Sequence, residues 1–268
     1  MAVKLENVCY KDYKDYKDIN IDIVDNSINI IYDENENSIL EVMSLLHKID
    51  NGKVIIDDFI YSNQSVSKSI RKKIGYVSKF SEEMFFNLTV KKELESSLKL
   101  LDIDFDIEKL IEVMDMVDLD TDLLSRDPFS LSSGEMRKLA FASVLVYDPD
   151  IILLDEPFIA LDVESKKNLF KLIKRLKEVY NKTIVILTND IETTYKLADY
   201  VYVFKDNSII CSGSKKEVFN NLDLLIKNNI NLPKTIDFVN YVYLNKNVKL
   251  RYREEVNDLL KDIYRDVR

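Results

Sequence analysis

The sequence is short of glycine, of cysteine and of long apolar runs. It has only 4 glycines among 268 residues, so turns such as Asp25-Asn26 and Asp206-Asn207 must rely on Asn and Asp, which tolerate left-handed backbone well. Its 2 cysteines, Cys9 and Cys211, belong to no CxxC or Cys/His group, which favours reduced thiols over a disulfide framework. No apolar run approaches the ~20 residues that cross a bilayer, so we expect a soluble chain that meets a membrane only through a partner.

The composition fits a folded domain with an acidic surface. Hydrophobic residues make up 46% of the chain, enough for a sizeable core. The formal net charge of -9 disfavours nucleic acid as the main partner, because phosphate backbones bind basic faces. The opening residues, MAVKLENV, lack the apolar core of a signal peptide, so we expect a cytoplasmic protein.

The order of the predicted elements indicates an α/β fold. Residues 89–117 have the apolar spacing of helices. The runs IILLD (151–155) and TIVILT (183–188) are continuously apolar, which is typical of parallel strands buried on both faces. A helix predicted at 162–180 separates them, so we expect a sheet with helices on both sides. Residues 215–268 are polar and helical and predict a small C-terminal appendage.

The strongest chemical signal is residues 129–162, which read FSLSSGEMRKLAFASVLVYDPDIILLDEPFIALD. Ser132, Ser133, Gly134 and Glu135 open a helix whose bare N–H groups suit a phosphate. Asp155 ends a buried strand, where it can hold Mg²⁺ through water, and the adjacent Glu156 can orient or deprotonate an attacking water. A third acidic residue, Asp162, follows Glu156 by six positions. Each group alone has an ordinary explanation, an N-cap or a solvated strand end, but the combination at this spacing does not.

This segment resembles the signature motif, Walker B motif and D-loop of ATP-binding-cassette (ABC) ATPases. In that family two cassettes sandwich two ATP molecules, and each site pairs one subunit's phosphate loop with the other's signature helix. The resemblance implies an ABC nucleotide-binding domain over 1–214, with a parallel-sheet P-loop-like core, an antiparallel β subdomain and a helical signature subdomain at about 80–145. It also implies a small helical domain at 215–268. The cofactors it implies are ATP and Mg²⁺, which we expect to be bound mainly through the partner's site.

The family's phosphate loop, GxxxxGK[ST], is missing where we expect it, before a helix predicted at 38–47. The chain there has Glu36 at the lysine position and Asn37 in place of the metal-binding hydroxyl. Composition drift explains lost glycines but not a lost lysine in a lysine-rich chain, and no GK[ST] occurs elsewhere. Carboxylates therefore stand where triphosphate would lie. The degenerate loop consists of Asp33, Glu34, Asn35, Glu36, Asn37 and Ser38.

Other phosphate-side positions also depart from the family pattern. Lys79 stands where the family has a glutamine that reaches the metal and water, and Asn189 stands where it has a histidine that contacts the γ-phosphate. Tyr13 or Tyr10 is the candidate for the aromatic ring that stacks on adenine. Because these elements have changed while the signature has not, we predict that the signature residues serve the ATP site of a partner cassette. The chain's own site should then hydrolyse little.

Residues 75–91, GYVSKFSEEMFFNLTVK, resemble the Q-loop region of energy-coupling factor (ECF) transporter ATPases. The tail from Asn229 resembles the short C-terminal domain of the same family. This resemblance implies a subunit peripheral to the inner face of the cell membrane, paired with a second ABC ATPase subunit in a heterodimer. Its other partners would be a membrane coupling subunit and a substrate-binding membrane component, which together import vitamins or metal ions.

Two alternatives remain open at this stage. The chain could be a fully active ATPase with an unusual phosphate loop, which tight Mg-ATP binding through residues 33–38 would favour. It could instead be a soluble ABC-like scaffold or regulator, which would not copurify with a membrane coupling protein. A nucleic-acid-linked ABC protein would need a long coiled-coil insertion or a second cassette, and this chain has room for neither.

Overall fold

The structure is a computed structural model that describes residues 3–11, 15–35, 38–246 and 256–266. The strands in these ranges are β1 Val3–Lys11, β2 Asp15–Asp22, β3 Ile28–Tyr32, β4 Asn51–Ile56, β5 Phe59–Tyr61, β6 Ile74–Val77, β7 Ile151–Asp155, β8 Thr183–Thr188, β9 Tyr200–Lys205 and β10 Ser208–Ser214. The helices are α1 Ile39–Met43, α2 Lys68–Arg71, α3 Val90–Leu100, α4 Ile107–Met116, α5 Ser133–Leu145, α6 Val163–Glu178, α7 Ile191–Thr194, α8 Lys215–Asn220, α9 Leu222–Lys227, α10 Lys234–Lys246 and α11 Val256–Asp266.

A six-stranded sheet in the order β10-β9-β3-β8-β7-β6 forms the centre of the fold. All neighbouring strands in it are parallel except β9 and β10, which form an antiparallel pair. The two apolar runs predicted as buried parallel strands are β7 and β8, which pair with Ile152 opposite Ile184. The predicted α/β class with a parallel core sheet is therefore confirmed.

Alternate residues of the central strands enter two different cores. Ile152 and Leu154 of β7 point to one face, where they join a core shared with α3, α4, α5 and α6. Ile151 and Leu153 point to the other face and pack against α1 and a second, four-stranded antiparallel sheet, β2-β1-β4-β5. Because both faces are covered, the strand must be apolar at every position, which explains the continuous run in the sequence.

The three helices between β6 and β7 begin at side-chain caps. Thr89, Asp106 and Ser132 cap α3, α4 and α5 by accepting backbone N–H bonds with their side chains, as expected for residues of these types. Near the C-terminus, Val218 of α8 and Leu225 of α9 are buried in the core shared with the helices. The first part of the predicted C-terminal appendage thus packs directly on the cassette core.

Two local expectations can be compared with the structure, and one of them was wrong. The helix predicted at 38–47 ends at Met43, and Leu45 has a left-handed φ of 61° that stops it. The prediction that Asn and Asp replace glycine in turns is confirmed, since Asn26, Asp206 and Asn207 have φ values of 49°, 49° and 64°. Within the described ranges, no helix is both long and apolar enough to cross a membrane.

Candidate functional site

The carboxyl ends of β3, β7 and β8 lie side by side and open into a cavity of about 580 Å³. These strands end at Tyr32, Asp155 and Thr188, so the residues that follow them meet at one edge of the sheet, the usual place for ligands in such folds. The lining consists of Asp33, Glu34, Asn35, Ser38, Glu41, Tyr76, Ser78, Lys79, Phe80, Glu83, Asp155, Glu156, Leu187 and Asn189. The cavity therefore brings together most of the residues predicted from the degenerate loop, the Walker B motif and the two sensor positions.

The charge of this cavity is strongly one-sided. Six of its lining side chains are carboxylates, and Lys79 is the one cation among the described lining residues. Two of the carboxylates, Glu41 on α1 and Glu83 in the turn after β6, were not predicted as site residues. A bound triphosphate would be repelled by the carboxylates at most points of the lining and attracted only by the ammonium of Lys79. The described residues therefore do not fit a triphosphate.

Asp155 is the carboxylate most strongly affected by its surroundings. Burial, followed by the neighbouring charge of Glu156, raises its pKa from 3.8 to about 6, while Lys79 acts in the opposite direction. The hydroxyl of Tyr76 lies 3.5 Å from Oδ2 of Asp155. Among the described residues, no three His, Cys, Asp or Glu side chains group closely enough to hold a metal ion. Asp155, predicted to hold Mg²⁺, would thus need water or phosphate oxygens to complete a coordination shell.

Glu156 is held by internal hydrogen bonds at both carboxylate oxygens. The hydroxyl of Thr188 donates to Oε2 at 2.9 Å, and the backbone N–H of Asn189 donates to Oε1 at 2.8 Å. The backbone of Glu156 is left-handed, with a φ of 42°, an uncommon conformation for this residue type. Each oxygen thus accepts one hydrogen bond from the chain and keeps a second lone pair, so these bonds fix the orientation of the carboxylate within the site.

The degenerate loop is organised by the chain's own side chains. Asp33 is buried, and its Oδ1 accepts the backbone N–H of Asn35 at 2.9 Å. Glu34 forms an ion pair with Lys205 at 2.8 Å, and its other oxygen lies 3.5 Å from Nδ2 of Asn231. Ser38 lines the cavity without a side-chain cap bond to α1. The predicted loop residues Glu36 and Asn37 lie outside the described residues.

The two tyrosines named as candidates for stacking on adenine have different outcomes. Tyr13 lies outside the described residues. Tyr10 is buried, and its ring stacks on Tyr16 with centroids 4.6 Å apart and an interplanar angle of 4°. That stacking makes Tyr10 part of the core beneath the antiparallel sheet, so it does not present a face to a base.

The signature segment forms a capped helix start whose residues do not line the acidic cavity. Ser132 and Glu135 make a capping box, in which Ser132 Oγ accepts the N–H of Glu135 at 3.3 Å and Glu135 Oε2 accepts the N–H of Ser132 at 2.8 Å. Hydrogen bonds from Ser132 hold the pKa of Glu135 below its ordinary value. A Cβ added to Gly134 would meet nothing within 4 Å. Ser133 begins α5, so Ser132, Ser133 and Gly134 present an open helix N-terminus to whatever faces it.

Asp162 acts as the N-cap of α6. Its carboxylate accepts the backbone N–H of Ser165 at 2.8 Å and the Ser165 hydroxyl at 3.0 Å. These hydrogen bonds hold the pKa of Asp162 below its ordinary value. The D-loop position thus has a structural role within this chain.

Arg137 is a further residue next to this site that sequence reasoning missed. It is buried, and its guanidinium donates to the carbonyl oxygens of Ser78 at 2.9 Å and Lys79 at 3.0 Å. The available signal was an arginine four residues before Phe141, on the face of α5 that enters the core. A buried arginine requires hydrogen-bond partners, and its partners here are carbonyls of residues that line the acidic cavity.

Solved structures with the same fold are ATP-binding cassettes. The cassette MJ0796, in a dimeric post-hydrolysis state bound to ADP and Pi, superposes with a TM-score of 0.69 over 80% of this chain and 98% of that one, at 26% identity. The cbiO1 protein of Clostridium perfringens, part of the ABC transporter complex cbiONQ, gives a TM-score of 0.70 over 89% of this chain and 98% of that one, at 23% identity.

Sequence comparison identifies the family more closely. The sequence profile of the ABC transporter family matches residues 37–159. The energy-coupling factor transporter ATP-binding protein EcfA2 of Staphylococcus aureus strain MRSA252 is 34% identical over 206 residues, which are 75% of this chain and 72% of that protein. The same protein from strain USA300 is 31% identical over 229 residues, or 84% and 78% of the two chains. The chain belongs to the ABC transporter family and, within it, to the ECF transporter ATP-binding proteins.

Proposed function

We propose that this chain is the degenerate nucleotide-binding subunit of an ECF-type importer and that its signature helix completes the ATP site of a partner cassette. The partner would be a second, non-identical ABC ATPase subunit with an intact phosphate loop. The pair would work with a membrane coupling subunit and a substrate-binding membrane component that imports a vitamin or a metal ion. The chain would sit at the inner face of the cell membrane and reach it through those partners.

The observation that carries this proposal is the contrast between the chain's own cavity and the start of its signature helix. Six carboxylates and one ammonium line the chain's own cavity, while the N-terminus of α5 is capped, glycine-containing and open. A negative charge brought to ~4 Å from one carboxylate costs about 1 kcal/mol in water and about 4 kcal/mol at an effective dielectric constant near 20. The helix N-terminus instead offers N–H groups and a positive dipole end to an anion.

The internal bonds of Glu156 support the second half of the proposal. Thr188 and Asn189 each donate to one oxygen of its carboxylate, so its orientation is set by the chain, whereas a general base must aim an oxygen at the attacking water. When ATP and Mg²⁺ bind at the partner's phosphate loop, they supply the phosphoryl group and its neutralising charge. The contribution of this chain is to position the γ-phosphate through Ser132, Ser133 and Gly134.

Two substitutions in the reconstituted heterodimer test the proposal. Ser132→Arg places a long side chain over the helix start, and we expect it to abolish ATP hydrolysis, whereas Glu156→Gln should leave the rate nearly unchanged. The exposed Ser125, outside the signature, provides a matched control as Ser125→Arg. Thermal unfolding of each variant separates a lost cap, worth about 1 kcal/mol, from a lost site. Full activity of Ser132→Arg together with inactivity of Glu156→Gln would overturn the proposal.

The same preparation addresses the two alternative functions. A fully active cassette would bind Mg-ATP tightly as an isolated chain. Substitutions that replace the charged Asp33 and Glu34 with neutral residues would then alter that affinity. A scaffold or regulator would not copurify with a membrane coupling protein from detergent extracts. We expect weak nucleotide binding by the isolated chain and copurification of the coupling protein.

A further inference from the structure

Arg137 joins two regions of the molecule that the proposed function assigns to different ATP sites. It lies in the second turn of α5, five residues after the N-cap Ser132. Its guanidinium donates to the carbonyl oxygens of Ser78 at 2.9 Å and Lys79 at 3.0 Å. The signature helix and the segment 78–80, which lines the acidic cavity, are therefore linked by one side chain.

The link is charged and largely hidden from water. Arg137 is 8% exposed, and hydrogen bonds from a charged donor are stronger than those between neutral groups. The negative charges of Asp155 and Glu82 act on it electrostatically, so the guanidinium lies between the signature helix and the acidic edge of the sheet. Removing it would leave two carbonyls without this donor, which is costly in a buried position.

The segment on the receiving side has an irregular backbone, since it lies between the end of β6 at Val77 and the turn that starts at Ser81. Within it, the N–H of Ser78 donates to Sδ of Met84 at 3.4 Å and the N–H of Phe80 donates to Ser78 Oγ at 3.2 Å. Both of these bonds are local in sequence. The two bonds from Arg137 span 59 and 58 residues of sequence, so they fix the segment to the helical region.

We propose that Arg137 is a positioning residue that transmits displacement of the signature helix to the segment 78–80. The inference rests on the proposed function, in which nucleotide held by the partner presses on the start of α5. A rigid helix moves as a unit, so a shift at Ser132 displaces Arg137, and the paired carbonyls follow. The degenerate cavity, and with it the half-exposed Phe80, thus responds to nucleotide that the cavity itself does not bind.

The absence of tryptophan from this chain provides a direct readout. In a heterodimer that carries Phe80→Trp, we expect a slowly hydrolysed ATP analogue to change tryptophan emission, after subtraction of the signal from the Phe80 parent. Arg137→Met should abolish that change, while analogue binding stays within about threefold because the partner's phosphate loop provides most of the affinity. Arg137→Lys, which can reach one carbonyl, should recover part of the signal, and Arg175→Met on exposed α6 is the matched control.

Kinetics give a second readout that a purely structural role would not produce. We expect Arg137→Met to lower kcat of the heterodimer by at least about tenfold, since small errors of position have large kinetic effects, with KM nearly unchanged. The proposal would be overturned if Arg137→Met left both the emission response and kcat unchanged. It would also be overturned if the Phe80→Trp heterodimer with Arg137 intact showed no change in emission when the analogue binds. If Arg137→Met unfolds, the graded loss in Arg137→Lys decides the question. Failure of the proposed function is recognised separately, because Ser132→Arg would then leave hydrolysis intact.

Discussion

Replacing Asp155 with asparagine should stabilise the protein near neutral pH. Asp155 ends β7 in the acidic cavity, where burial and then the charge of Glu156 together raise its pKa from 3.8 to about 6. An active cassette would offset that cost with a bound metal ion. In this chain we propose that no such compensation operates, so Asp155→Asn removes a repelled charge and keeps the shape of the side chain.

The magnitude and its pH dependence follow from the raised pKa. Each unit corresponds to about 1.4 kcal/mol, so a shift of about two units sets an upper limit of about 3 kcal/mol. We expect about 1 to 2 kcal/mol, because partial exposure lets water screen the charge. The folded protein binds this proton more tightly than the unfolded chain, so the penalty is complete above pH ~6 and declines as pH falls toward 3.8. The gain from Asp155→Asn should therefore vanish near pH 4.

Urea denaturation at pH 7.5 and pH 4.5 measures this difference through the midpoint at constant slope. The control is Asp104→Asn, which removes an exposed carboxylate outside the cavity and should change stability by less than about 0.5 kcal/mol. A less stable Asp155→Asn at pH 7.5 would refute the reasoning. A second result would also refute it: Mg-ATP raises the urea midpoint of the wild type but not that of Asp155→Asn. That pattern would indicate a working metal site that depends on Asp155.

Two further predictions concern the packing around the site. Gly75→Ala should destabilise the fold by about 1 to 3 kcal/mol in urea denaturation, because a Cβ there would lie 2.3 Å from Cγ1 of Val144; an unchanged midpoint would contradict the close packing of β6 on α5. Glu93→Ala should cost about 2 to 3 kcal/mol, since this buried carboxylate accepts the N–H groups of Phe86 and Asn87 at 2.9 and 2.8 Å and its loss leaves them without an acceptor. Glu95→Ala, at an exposed surface pair, should cost under about 1 kcal/mol, and equal effects at the two positions would contradict the prediction.

The sequence predicts best the features that local chemistry controls. The strands at 151–155 and 183–188 coincide with β7 and β8 because a strand covered on both faces is apolar throughout. The start of α5 follows from Ser132 and Glu135, whose capping box needs only four consecutive residues. The family assignment also follows from short motifs in fixed order, and the comparisons confirm it.

Features that depend on distant contacts could not be predicted from the sequence. The helix after the degenerate loop ends at Met43, and the turn that follows places Nε2 of His47 2.8 Å from the carbonyl oxygen of Lys11 on β1. Tyr10 joins the core by stacking on Tyr16 across a strand pair. The hydrogen-bond acceptors of Arg137 are backbone carbonyls that lie 58 and 59 residues away in the sequence. A pattern read over a short stretch of sequence cannot identify any of these three contacts.

The ion pair between Glu34 and Lys205 changes what controls the shape of the degenerate loop. A conventional phosphate loop is ordered by its ligand, so its conformation reports the nucleotide supply of the cell. Here an internal cation holds Glu34 at 2.8 Å, with both side chains partly open to solvent. Because the Debye length falls from about 8 Å at physiological ionic strength to about 3 Å at 1 M, added salt weakens a partly exposed ion pair, so the loop should loosen with added salt and ignore the ATP-to-ADP ratio.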